Sequence, residues 1–132
     1  MIPNGAMIEG ADILLCECGR LQPGESVLIV CDERTQPIGA LLHARATGMG
    51  AAARLMETPS AHMHGVEPTE EVAEAMARAA LCLGVTAKSM AHTKARQMLS
   101  AHGGRYLSLP DYSLALLADA SLRVRFRDKG PL

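Results

Sequence analysis

The 132-residue chain carries 13 basic and 14 acidic residues, a formal net charge of −1, and 48% apolar but only 2% aromatic residues. This composition excludes a disordered chain, and the lack of a basic surface and of stacking aromatics argues against nucleic-acid binding. No apolar run approaches the roughly 18 residues that span a bilayer, and Glu9 and Asp12 interrupt the N-terminal apolar stretch. We therefore expect a cytoplasmic domain that binds neither nucleic acid nor membrane.

The first half of the sequence predicts two helix–strand pairs. Asn4 can cap a first helix that runs to Cys18. The apolar run 26–31 is typical of a strand that is buried on both faces of a sheet. An amphipathic helix follows, and 51–56 is a weaker strand candidate because Arg54 interrupts it.

The second half repeats this alternation. Thr69 can cap a third helix, and the apolar run 81–86 predicts a third strand. Ser89 can cap a fourth helix that runs to about Ala101. Residues 105–109 predict a fourth strand, which a proline ends.

Strands that alternate with helices imply right-handed βαβ units, so the predicted fold class is α/β. We expect a Rossmann-like three-layer domain with a mostly parallel four-stranded sheet. The sequence does not determine the strand order, but the order 2-1-3-4 would place Asp32 and His92 beside the switch point. No repeat or linker divides residues 1–132, which predicts one domain. A short helix is predicted over 112–118. Residues 119–132 are interpreted as a basic C-terminal tail or a charged edge strand, with a docking arm as the alternative.

The four cysteines do not predict a disulfide framework in a chain without an export signal. Cys31 and Cys82 fall in apolar strand-like runs, where cysteine behaves as a small hydrophobic residue. Cys16 and Cys18 lie two residues apart on a predicted helix and point to different faces, which disfavours a thiolate metal site.

Candidate site residues follow from the rule that ligands bind beyond the carboxyl ends of parallel strands. That rule selects a short list of residues: 32–35 after the first strand, Glu57, Thr58 and the His-bearing loop after the second, Ser89 and His92 after the third, and Asp111 after the fourth. We expect His92 in the first turn of a helix, where a neutral imidazole can exchange a hydrogen bond with a substrate oxygen. The alternative is a histidine that caps the helix or packs on the sheet.

A metal site has weak support in the sequence. His62, His64 and Glu67 are metal-binding residue types, but their spacing in an extended segment fixes no third ligand, which favours a solvated loop. No glycine-rich phosphate loop is present. We expect no cofactor and no metal in this chain.

Four segments, taken in order, resemble one family: 27–35 (VLIVCDERT), 64–68 (HGVEP), 89–96 (SMAHTKAR) and 104–110 (GRYLSLP). They resemble the N-terminal domain of the aminopeptidase T-type, thermophilic metallo-aminopeptidases. The 2,5-dihydroxypyridine 5,6-dioxygenases share that family's two-domain architecture. The resemblance spans residues 20–118, and segment 89–96 is its most specific piece.

The resemblance implies a cleft-forming domain without the metal-bearing catalytic domain of the family. A divalent metal, iron or zinc, would then belong to a partner catalytic domain of an aminopeptidase-like hydrolase or a ring-cleavage dioxygenase. The resemblance implies that segment 89–96, and less directly segment 64–68, faces the cleft between the two domains. With the strand-end rule, the candidate site is His92 as the catalytic residue and Ser89, Thr93, Asp32, His64 and Glu67 as substrate-binding residues.

Three functional interpretations stay open. The chain is a subunit that completes a metalloenzyme, a small-molecule-binding or regulatory module, or, least favoured, an independent enzyme that uses His92 with Asp32 or Asp111. An aliphatic chain without its family's second domain leaves apolar surface uncovered. We therefore expect a homo-oligomer or a complex with a catalytic partner subunit, acting on a small-molecule substrate.

Overall fold

Strands alternate with helices throughout residues 5–61 and 63–109, the part of the chain that the computed structural model describes. The helices are α1 (Gly5–Ile13), α2 (Gln36–Gly48), α3 (Glu70–Arg78) and α4 (Lys94–Ala101), and a π-helical turn (Leu14–Cys18) continues α1. The strands are β1 (Ser26–Cys31), β2 (Ala52–Glu57), β3 (Leu81–Gly84) and β4 (Arg105–Ser108). Within those two ranges, no helix has both the length and the apolar character to cross a bilayer.

The four described strands form one parallel sheet in the order β2-β1-β3-β4. This confirms the predicted α/β class and the mostly parallel sheet, and it gives the strand order, which the sequence left open. β1 occupies the centre, and every residue of it after Ser26 is buried, as expected for an apolar strand covered on both faces.

Helices cover both faces of the sheet and create two apolar cores. One core lies between the sheet and α1 and α2, and the other lies between the sheet and α3 and α4. The alternation of side chains along β1 supplies both cores, because Val27 and Ile29 enter the first whereas Leu28 and Val30 enter the second. The predicted three-layer arrangement is therefore confirmed.

The start of α4 differs from the prediction. The sequence predicts Ser89 as the N-cap and His92 inside the first helical turn, but α4 begins at Lys94 and both residues lie in the preceding loop. Thr93 is the N-cap, because its backbone is extended with ψ at 159° and its Oγ1 accepts a hydrogen bond from the Arg96 N–H at 3.1 Å.

The strand bounds differ from the prediction by small amounts, since β2 begins at Ala52 and β3 ends at Gly84. Packing requires a glycine at position 84, because a Cβ atom there would overlap the hydroxyl oxygen of Tyr106 on the neighbouring strand. Several predictions concern residues outside the described part of the chain. They are the cap at Asn4, the roles of His62 and Asp111, the helix over 112–118 and the tail over 119–132.

Candidate functional site

The candidate site lies at the edge of the sheet where the strands have their carboxyl ends. The chain runs from β1 to β2 on one side and then crosses to β3 on the other side of β1, so the topological switch point lies between β1 and β3. Ligands of open α/β sheets bind in the crevice outside such a point. The loops that follow β1, β2 and β3 meet there.

Asp32 occupies the switch point and is fully buried. Its Oδ1 accepts hydrogen bonds from the backbone N–H of Arg34 at 2.9 Å and from the backbone N–H and hydroxyl of Thr35, both at 3.2 Å. Its Oδ2 accepts the N–H of Ala87 at 2.7 Å. The carboxylate therefore ties the loop after β1 to the loop after β3, and all its described contacts lie within the protein.

His64 joins the loop after β2 to the loop after β3. Its Nδ1 accepts a hydrogen bond from the Ser89 backbone N–H at 2.8 Å, and the Gly65 N–H donates to the Ser89 carbonyl at 3.0 Å. Because Nδ1 is the acceptor, the ring proton of this tautomer lies on Nε2. The side chain is exposed, so Nε2–H is available to an external acceptor.

Glu67 makes a second link between the same loops. Its Oε2 accepts the Lys94 backbone N–H at 2.8 Å and its Oε1 accepts the Ala95 N–H at 3.2 Å. These N–H groups belong to the first turn of α4, where backbone N–H groups have no acceptor within the helix. The positive end of the helix dipole also favours a negative charge at this place. The carboxylate therefore helps to fix the start of α4.

The hydroxyl groups of Ser89 and Thr93 also hold the loop before α4. The Ser89 Oγ accepts the Ala91 N–H at 3.1 Å and lies 3.3 Å from the Oγ of Ser108 at the end of β4. Thr93 is fully buried and donates its hydroxyl proton to the Met90 carbonyl at 2.7 Å. Thr93 thus has a structural position, whereas Ser89 lies partly open to solvent.

His92 is the candidate residue with the greatest freedom. It is exposed, and within residues 5–61 and 63–109 its ring makes no hydrogen bond or ion pair. It stands immediately before the N-cap of α4, on the loop that His64 and Glu67 anchor. The imidazole of His92 and the Nε2–H of His64 therefore lie on two loops that are hydrogen-bonded to each other.

The described surface around these loops is open. A cavity of about 20 Å³ lies beneath them, lined by Thr58, Val66, Thr86 and Met90 among others, and it has room for about one water molecule. Within residues 5–61 and 63–109, no group of three or more His, Cys, Asp or Glu side chains is arranged to hold a metal ion. The candidate set of His62, His64 and Glu67 includes His62, which lies outside the described residues.

Sequence reasoning did not single out Ser108, which ends β4 and approaches Ser89. Ser108 stands at the carboxyl end of a strand, so the rule that selected Asp32 could have found it. The same rule did select Thr58, which is buried after β2 and whose Oγ1 accepts the Thr69 N–H at 3.3 Å. Sequence reasoning also did not single out two exposed apolar side chains of the loop after β2, Met63 at 56% and Val66 at 37% exposure.

The comparisons with known proteins show a likeness of fold. The solved structure of the 2,5-dihydroxypyridine dioxygenase from Pseudomonas putida KT2440 is similar to this chain, with a TM-score of 0.63 and 14% sequence identity. The match covers 82% of this chain and 35% of that chain. No family model and no curated protein matches.

The likeness establishes the fold alone. At 14% identity the shared feature is the path of the backbone, because a fold can host unrelated chemistry. This chain spans about a third of the length of the dioxygenase that it matches.

Proposed function

We propose that this chain is an N-terminal-type cleft domain of the aminopeptidase T or dihydroxypyridine dioxygenase kind and that it completes the active site of a metalloenzyme together with a catalytic partner. The observation that carries the proposal is the open carboxyl-end surface, where His92 and Nε2 of His64 face solvent on two linked loops. Small-molecule sites are concave and enclose most of the ligand. The cavity beside these loops is only about 20 Å³ among the described residues, and we infer that a second protein surface turns this one into a cleft.

Two further observations support the proposal. The backbone matches part of a 2,5-dihydroxypyridine dioxygenase with a TM-score of 0.63, so its fold is compatible with a domain of such an enzyme. The loop that carries His64 also exposes Met63 and Val66. Exposed apolar side chains beside polar groups are typical of interaction surfaces, and these two lie where a covering domain would dock.

The residues divide into those that hold the surface and those that face the substrate. Asp32, Glu67 and Thr93 position the loops through hydrogen bonds to backbone groups. His92 exchanges a hydrogen bond or a proton with a polar atom of the substrate, and His64 donates from Nε2. A divalent metal, iron or zinc, would come from the partner and supply Lewis-acid or oxygen-binding chemistry there.

A small-molecule-binding or regulatory module without catalysis is the second candidate. It is favoured by the extent to which Asp32, Glu67 and Thr93 are used in internal hydrogen bonds. Within residues 5–61 and 63–109, no carboxylate forms a hydrogen bond or ion pair with the ring of His92 or His64. Such a module would bind its ligand at the same surface but would need no metal-bearing partner.

The test is co-purification of a tagged chain from the cells that produce it. The proposal predicts a stoichiometric partner that contains a divalent metal, and it predicts that Val66→Asp and Met63→Asp release that partner. Met98→Asp is the matched control, because Met98 is 51% exposed but lies on α4. A partner without metal, or one that the control releases equally, would contradict the proposal.

A further inference from the structure

Among the described residues, the outer edge of β2 carries backbone groups that no other strand pairs with. β2 pairs with β1 on one side, and no strand within residues 5–61 and 63–109 pairs with its other side. An edge of this kind is a template for a further strand. It lies on a side of the sheet that the candidate site does not use.

The hydrogen bonds at the two ends of β2 determine which residues face outward. The Ala52 N–H donates to the Glu25 carbonyl and the Thr58 N–H donates to the Cys31 carbonyl, both at 2.9 Å. Backbone polarity alternates along a strand, so even-numbered residues between them face β1. The odd-numbered residues 53, 55 and 57 therefore direct their N–H and C=O groups away from the sheet.

A groove runs beside this edge on the face that α3 covers. Met56, in the second half of β2, packs against the core under α3 and α4. The first half of β2, at Ala52 and Arg54, instead lines the groove together with the start of β1. The groove has a volume of about 420 Å³. Its lining includes Ala52, Arg54, Glu71, Glu74, Ala75 and Arg78.

The charges along the groove are balanced and unpaired. Arg54 and Arg78 oppose Glu71 and Glu74 in sign, and none of the four side chains forms an ion pair or hydrogen bond in the described part of the chain. A uniformly acidic or basic partner would leave two of these charges facing like charges. A second copy related by a twofold axis can place its arginines against the glutamates of the first copy, and its glutamates against the arginines. A self-complementary interface requires such an arrangement.

We propose that a second copy of this chain docks on the outer edge of β2, with the two β2 strands antiparallel about a twofold axis at Leu55. Residue 55 then faces residue 55 of the second copy, and residue 53 faces residue 57. This register joins the two sheets through about six backbone hydrogen bonds. Glu57 meets Ala53 of the other copy, and Arg54 of each copy meets Glu71 and Glu74 of the other across the joined grooves.

Sedimentation velocity on the purified chain tests the proposal. We expect a concentration-dependent dimer of twice the 14.0 kDa chain mass at micromolar concentration. Ala53→Pro removes an outward N–H and leaves the β1 pairing intact, so it should raise the dimer dissociation constant about tenfold or more. A monomeric wild-type chain, or a folded Ala53→Pro variant that dimerises as well as the wild type, would overturn the proposal.

Charge exchange gives a test that does not depend on a proline substitution. Arg54→Glu alone, and Glu71→Arg with Glu74→Arg, should each be monomeric, because each homodimer would place like charges together. Mixing the two variants should produce a heterodimer, because every contact then joins opposite charges. Arg34→Glu, at an exposed arginine after β1, is the matched control and should stay dimeric.

A mixture that stays monomeric, or dimerisation that is indifferent to Arg54→Glu, would overturn the charge pairing. This inference does not rest on the proposed function. Its test uses the pure chain and the β2 edge, whereas release of a catalytic partner is tested at Val66, so the two can fail separately.

Discussion

Asp32 and Ala87 are joined by a hydrogen bond of 2.7 Å from the Ala87 N–H to the Asp32 carboxylate, across the switch point of the sheet. The bond links residues that are 55 positions apart in the sequence. It fastens the loop that leads to the candidate site, at the place where many open α/β proteins bind their ligand. Asp32 is itself buried, and it therefore stabilises this surface by holding the two loops together.

The first prediction is that Asp32→Ala destabilises the fold. The change leaves the N–H groups of Arg34, Thr35 and Ala87 without their acceptor, and we expect a loss of about 3 kcal/mol in the free energy of unfolding. Urea denaturation measures it. Glu33→Ala, at the exposed neighbouring carboxylate, is the control and should change little. Equal stability of the two variants would show that the Asp32 bonds are not structural.

The second prediction concerns acid stability. The bidentate hydrogen bond from Arg105, at 2.7 and 2.9 Å, holds the pKa of Glu25 at about 2, below its usual 4.5. A lowered folded-state pKa gives stability that is present above pH 4.5 and is lost as the pH falls towards 2.

Glu25→Gln should therefore remove part of the dependence of the melting temperature on pH in this range. The effect should be small and should weaken with added salt, because the pair lies near the surface. Glu33→Gln should keep the dependence. Identical acid profiles for Glu25→Gln and the wild type would contradict the role of the Arg105 pair.

The third prediction separates His92 from His64. His92 is exposed and unengaged, so His92→Ala should change the free energy of unfolding by less than about 1 kcal/mol. It should lower the rate of the assembled enzyme about 10²–10⁴-fold if the ring acts as an acid–base or hydrogen-bonding group. Melting temperature and turnover are measured on the same preparation.

His64→Ala should behave differently, because it also removes the acceptor of the Ser89 N–H and loosens the loop. We expect a stability loss of about 1 kcal/mol in addition to any loss of rate. If His92→Ala lowered stability and left turnover or ligand affinity unchanged, His92 would be a structural residue.

The fourth prediction concerns thiol reactivity. Burial raises the pKa of Cys82 to about 12 and that of Cys31 to about 11, whereas Cys16 is exposed. Because the thiolate is the reactive form, a maleimide should label Cys16 first and should reach Cys31 and Cys82 only after unfolding. Mass spectrometry of the labelled peptides identifies the sites. Rapid labelling of Cys82 in the native protein would show that β3 opens readily.

The central features of the fold could be predicted because they depend on local patterns. The run 26–31 is apolar at every position after Ser26, and that pattern indicates a strand with both faces covered. Thr69 precedes two glutamates, which indicates the start of α3, and its Oγ1 does accept the Val72 N–H at 3.4 Å. Neighbours in the sequence decide both features.

The start of α4 could not be predicted in this way. Ser89 and Thr93 are both good N-cap residues, and their sequence surroundings do not choose between them. The choice depends on contacts with the loop after β2. The His64 ring takes the Ser89 N–H, and the Glu67 carboxylate takes the Lys94 N–H, over separations of 25 and 27 residues.

We propose that this chain forms one wall of a metalloenzyme cleft, and the native mass and metal content of the complex that it forms in its own cells test this directly. We expect a complex that contains a second, different polypeptide and about one equivalent of iron or zinc for each catalytic subunit. A metal-free assembly of this chain alone that binds or converts its ligand without a partner would contradict it.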